Sequence, residues 1–173
     1  MYSTLMSKHI ALICTTFVVF SIIAADSARA QGVEKTETTE SYRLELEVLP
    51  PEPFFSHSDV QSQQIKSGML IVRGAAPVQP DAVSKPNHHL IVHVFDKSTG
   101  KAVTDANVKM SFQRLGPAGE PIGMPTEVPV VEMQVIGKGP ATTHYGNNVI
   151  MPSGTYRVNI TANGESATFK VSL

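Results

Sequence analysis

The chain has 173 residues with 14 basic and 15 acidic side chains, a formal net charge of −1, 6% aromatic residues and no tryptophan. That balance excludes the basic footprint of a nucleic-acid binder and gives no support to carbohydrate binding on stacked aromatic platforms. The one cysteine, Cys14, lies in the N-terminal apolar stretch, so the rest of the chain offers neither a disulfide nor a thiolate.

Residues 1–30 combine a polar start containing Lys8, an apolar run from Ile10 to Ala25, and Ala28-Arg29-Ala30 just before Gln31. This is the pattern of a cleaved secretory signal, and the apolar run is shorter than the ~20 residues of a spanning helix. No cysteine stands at the cleavage point to carry a lipid anchor. The expected destination is a bacterial periplasm, and what remains is the size of one domain.

Residues 31–41 are polar, rich in Thr and Glu, and without an apolar period, which predicts a flexible lead-in to a single domain over residues 42–173. Tyr42, Leu44, Leu46 and Val48 alternate with Arg43, Glu45 and Glu47 as in a half-buried strand, which Pro50, Pro51 and Pro53 end. Residues 54–64 read as an irregular loop in which His57 is solvated. Gly68 to Arg73 is a short strand, followed by a connection too rich in proline for a helix.

Asn87 to Asp96 is the run around which the chain is organised, since it holds His88, His89 and His93. Alternation along a strand puts His89, Ile91, His93 and Phe95 on one face and His88, Leu90, Val92 and Val94 on the other. Both faces are apolar, which predicts a central strand covered on both sides. An imidazole there needs a hydrogen-bond partner or a metal in place of water.

Beyond a turn at residues 96–100, residues 103–112 predict a hairpin-like pair. A proline-marked break at 117–121 precedes an apolar strand over 128–136 that contains Met133. The Gly-rich and Pro-containing residues 137–143 read as a loop delivering His144, which stands in it between Gly-Lys-Gly-Pro and Gly-Asn-Asn, where exposed function is more common than core packing. At the end, residues 155–160 and the alternating Ala167, Phe169 and Val171 flank Asn163-Gly164, which predicts a type I′ hairpin. Seven or eight short antiparallel strands, Gly/Pro turns and no amphipathic helix make the expected fold an all-β, immunoglobulin-like sandwich.

A scaffold of this kind does not decide function, so the side chains must. His57, His88, His89, His93 and His144 occur with Met69, Met110, Met124, Met133 and Met151. Imidazole with thioether in a cysteine-free exported chain suits copper, and imidazole also accepts zinc or iron. His89 and His93 stand ~13 Å apart along an extended strand, too far to share an ion readily; one of them joining His144 and a methionine from neighbouring strands is easier. Each histidine taken singly also has a structural reading, bonded to a carbonyl or hydroxyl, and Met110, Met133 and Met151 also read as core filling.

Gly139-Pro140, then His144-Tyr145-Gly146-Asn147-Asn148-Val149, then Gly154-Thr155-Tyr156-Arg157-Val158 resembles a segment of the periplasmic copper-binding proteins associated with bacterial ferrous-iron uptake. Leu90 to Val94 is similar to a second segment of that family. The resemblance implies a sandwich and a metal site in which His144 is a ligand, Met133 corresponds to the strand methionine, and His89 falls where the family has Glu. The family's first histidine falls on Asn87, and its C-terminal histidine has no counterpart here.

The leading expectation is therefore a periplasmic metal-binding protein, for copper before zinc or iron, using His144, His89 and Met133 with His88 and His93 as alternates. It would hold or deliver metal, to an inner-membrane transporter or another envelope protein, with pairing into a homodimer suggested by the resemblance. The second reading is an accessory or interaction module that binds no metal and presents loops or an edge strand to a partner. No Gly-x-Ser-x-Gly elbow, cysteine nucleophile or triad spacing marks an enzyme.

Overall fold

The computed structural model describes residues 32–80 and 85–173; the signal-peptide reading of residues 1–30 lies outside them. Eleven strands and one short helix are seen among the described residues. They are β1 (Val33–Thr38), β2 (Tyr42–Leu49), β3 (Phe54–Phe55), α1 (His57–Gln63), β4 (Met69–Gly74), β5 (His88–Asp96), β6 (Val108–Leu115), β7 (Pro121–Val128), β8 (Val131–Val135), β9 (His144–Val149), β10 (Thr155–Ala162) and β11 (Glu165–Ser172). A seven-stranded sheet in the order β1-β2-β5-β9-β8-β4-β3 faces a four-stranded sheet in the order β11-β10-β6-β7. The fold is thus an all-β sandwich with more strands than the seven or eight expected. No helix among the described residues is long and apolar enough to cross a membrane.

The alternation in β2 and β5 builds the main core. Leu44, Leu46 and Val48 point inward with Leu90, Val92 and Val94, and they meet Met110, Phe112, Tyr156, Val158, Ile160, Phe169 and Val171 of the opposing sheet. Burial of such side chains is worth about 1.5–3 kcal/mol each and is the main force closing the two layers. β10 and β11 form the expected hairpin, with Asn163 and Gly164 at φ values of 49° and 92° in its turn, the positive pair that a type I′ turn requires.

The outer face of the seven-stranded sheet is covered as well. Phe54, Met69, Ile91, Val131 and Met133 form a second, smaller cluster there, and the proline-containing residues 50–53 and 75–80, bonded to β9, form a cover beside it. Prolines have no backbone N–H to donate to a ladder, so other groups must help satisfy this cover's backbone. Two buried asparagines of β9 do so. Asn147 Nδ2 donates to the carbonyls of Ala76 and Pro129, and its Oδ1 accepts from Val78 N. Asn148 Nδ2 donates to the carbonyls of Glu52 and Val78, and its Oδ1 accepts from Glu52 N.

Several expectations give way. Residues 33–38 are not a flexible lead-in: they pair with most of β2 from Val33↔Val48 to Thr38↔Arg43. Their side chains are largely exposed, so the backbone ladder holds them and no apolar period betrays it. Residues 54–64 contain β3, parallel to β4, and α1, which Ser56 and Asp59 start with a reciprocal capping box. Residues 103–112 do not form a local hairpin. β6 crosses to the other sheet and pairs with β10 and with β7, and β7 runs with all but its last residue exposed.

Candidate metal centre

The register of the large sheet decides which polar groups meet. β5 lies between β2 and β9, with Glu47 opposite Ile91, Leu49 opposite His89, and His89 opposite Asn148. β8 follows on the far side of β9 with Met133 opposite His144. His89, His93, His144, Glu47 and Met133 therefore share the outer face of the sheet, beneath the cover. His144 is not in an exposed loop. A 3₁₀ turn at Pro140–Thr142 leads into it, and it is the first residue of β9 at 1% exposure.

Gly146 lies between His144 and Asn148 on this face. A Cβ there would run into the carbonyl oxygen of Leu90 and the backbone of Ile91, so only glycine lets β9 approach β5 closely enough to bring the two histidine-bearing strands together.

The three rings form a row. His89 and His144 have ring centres 5.9 Å apart at an interplanar angle of 89°, and His144 and His93 are 5.3 Å apart. Phe54 closes the inner end against His89 at 5.6 Å, and Phe95 flanks His93 at the outer end at 6.1 Å.

Hydrogen bonds fix the tautomers at the inner end. His144 Nδ1 is 2.8 Å from the carbonyl oxygen of Thr142, an acceptor, so Nδ1 carries the proton. His89 Nδ1 is 3.0 Å from Asn148 Oδ1. The two carbonyls held by Asn148 Nδ2 leave no freedom to flip that amide, so His89 Nδ1 is the donor too. Each ring then carries its lone pair at Nε2. Both Nε2 atoms are buried without a hydrogen-bond partner.

The outer end differs. His93 Nδ1 is 3.3 Å from the Thr143 carbonyl, and its Nε2 lies 3.5 Å from a carboxylate oxygen of Glu47. Interaction with His93 is the largest influence holding the Glu47 carboxyl below its ordinary range, against the opposing effect of burial. With Nδ1–H given to Thr143, Nε2 is left facing that carboxylate, an arrangement that a cation between them would satisfy.

Burial keeps the inner imidazoles neutral. Desolvation, and then the neighbouring His144, lowers His89 to about 3. Desolvation, opposed by the Thr142 hydrogen bond, lowers His144 to about 4. The folded state keeps both neutral while an unfolded chain takes up protons near 6.5, so their contribution to stability is complete above that value and is lost as pH falls from about 6.5 toward 4. Each imidazole then removes about 1.4 kcal/mol per pH unit. Denaturant unfolding of the metal-free protein is expected to show this decline between pH 7 and pH 4, and a flat profile there would contradict the burial of neutral rings.

Neutral imidazole with a free lone pair is the form that binds metal. A ring bound through Nε2 at ~2 Å holds its centre ~3 Å from the ion, so two such rings have centres ~5 Å apart at a tetrahedral angle and ~6 Å apart when opposed. The separations of 5.9 and 5.3 Å fall in that range. Among the described residues, however, no three His, Cys, Asp or Glu side chains stand gathered for an ion. His89 and His144 are the buried pair with unpartnered Nε2 atoms, the buried thioether of Met133 shares their face, and His93 is engaged with Glu47 and the Thr143 carbonyl.

The other sequence candidates sit elsewhere. His88 is on the opposite face at the end of β5, and His57 is exposed at the start of α1. Asn87 is structural: its amide bridges Met151 N and O. Sequence reasoning missed Glu47, taken as an outward strand residue, and the anchoring role of Asn148; an Asn-Asn pair inside a buried strand was the signal available for the latter. No protein-family model matches the chain, and neither a curated protein nor a solved structure matches it.

Proposed function

We propose that this protein binds a metal ion, copper before zinc or iron, between His89 and His144, with Met133 completing the set. The observation that carries the reading is the pair of buried Nε2 lone pairs without a partner. Leaving two such groups unsatisfied costs on the order of 1–3 kcal/mol each unless a ligand uses them. Two neutral imidazoles with a thioether favour Cu(I), which accepts low coordination numbers, over Zn(II), for which thioether is a poor donor. The proposed role is to hold copper and pass it to a partner in the cell envelope, consistent with the export signal read in residues 1–30.

Competition with bicinchoninate for Cu(I) tests this on untagged protein. One equivalent withdrawn from the chelator is the expected result, with zinc and ferrous iron held more weakly. Absence of stoichiometric uptake would overturn the proposal.

A further inference from the structure

Exposure rises steadily along the row of donors. His89 is 0% and His144 1% exposed, while the side chains of His93 and Glu47 are 19% and 28% exposed. The inner pair is closed off by Phe54 and by the chain pinned over the sheet, so an ion bound there needs a way in that supplies ligands at each stage. His93 has the position for it. Its ring is 5.3 Å from His144 on one side, and its Nε2 is 3.5 Å from Glu47 on the other.

The carboxylates nearby are not equivalent. Glu45 stands opposite His93 on β2, but it is paired with Arg43, whose guanidinium also lies 4.2 Å from the centre of the Phe95 ring. Arg43 thus covers Glu45 and Phe95, leaving Glu47 as the carboxylate turned toward the imidazoles. A carboxylate and an imidazole make a hard, exchangeable outer site, while the inner pair with thioether makes a softer one.

We infer that Glu47 and His93 form an outer receiving station, where an arriving cation is first held before His93 swings inward and passes it to His144 and His89. This rests on the metal reading above and adds a route and a direction to it. Delivery would run in reverse through the same rim, which is where a donor or acceptor protein would have to present its own ligand. The station acts on the rate of exchange, whereas the inner pair sets the equilibrium.

The test follows transfer of Cu(I) from its bicinchoninate complex to the full chain by stopped-flow absorbance, reading both the second-order rate and the end point. Glu47→Gln is expected to slow transfer about tenfold, in the range that a guiding charge contributes to association, with an end point close to the wild type's. Glu45→Gln, a control on the same strand face, is expected to leave both unchanged. A Glu47→Gln protein that exchanges at the wild-type rate overturns the route and leaves the inner site standing. One that loses its end point along with its rate shows Glu47 to be a resident ligand, which also overturns the route. A wild-type protein that withdraws no copper overturns the metal reading and the route together.

Discussion

Replacing His144 by alanine is expected to abolish tight copper binding, with an affinity loss of at least about 100-fold, the upper end of what loss of even an outer partner of a metal-binding imidazole costs. His144 is the middle ring of the row, with His89 5.9 Å away on one side and His93 5.3 Å away on the other. His89 and His93 are separated by four positions along an extended strand, so without His144 they cannot gather around one ion. The fold should survive, because the main core lies on the opposite face of the sheet and does not include His144. Far-ultraviolet circular dichroism and a bicinchoninate competition on the same sample would check both halves. Wild-type affinity in a folded His144→Ala protein would remove His144 from the site.

Asn148→Ala is expected to have the largest effect on stability, about 3–5 kcal/mol, because it strands several buried groups at once. Its amide satisfies Glu52 N and O and the Val78 carbonyl, and it accepts from His89 Nδ1. These bonds tie two stretches of the proline-containing cover to β9. They also set the His89 tautomer, so the same substitution should weaken copper binding about 10–100-fold, as loss of an outer partner of a ligating histidine does. Asn148→Asp keeps an acceptor for His89 but loses the donor to the two carbonyls. It should therefore recover part of the copper affinity while remaining destabilised in denaturant unfolding. Equal copper affinity for the alanine and aspartate variants would show that Asn148 holds the cover without orienting His89.

The strands that were legible in the sequence are those whose side chains sort between an apolar and a polar side or lie buried on both. β2, β5 and the β10–β11 hairpin announce themselves through alternation or through Asn163-Gly164. β1 and β7 do not, because almost all their side chains are exposed and only the backbone ladder holds them. α1 buries none of its residues, so no helical period exists to be seen, and its one trace is the spacing of Ser56 and Asp59. Local pattern also could not tell that β6 leaves the sheet of β5, since the choice of partner depends on residues far along the chain.

The site was legible as residue types and obscure as geometry. His89, His144 and Met133 could be picked out as donors, yet the glycine and asparagines after His144 suggested a loop, since these residues disfavour strands. In the folded protein each has a specific compensation. Gly146 makes room for the Leu90 carbonyl, and the amides of Asn147 and Asn148 are spent on a proline-containing cover that cannot satisfy itself. Glu47 looked like the solvent side of a half-buried strand. It became part of the cluster because that side of the sheet is itself covered.

The measurement that bears most directly on the central claim is long-range proton–nitrogen NMR of the histidine rings, recorded before and after one equivalent of Cu(I), which is diamagnetic and leaves the signals readable. In the free protein, His89 and His144 should each show a protonated Nδ1 and an unprotonated Nε2, and copper should shift both Nε2 resonances while His57 and His88 stay in place. Protonated Nε2 atoms in the free protein, or Nε2 signals of His89 and His144 unmoved by copper, would contradict the assignment of these two buried lone pairs as the metal site.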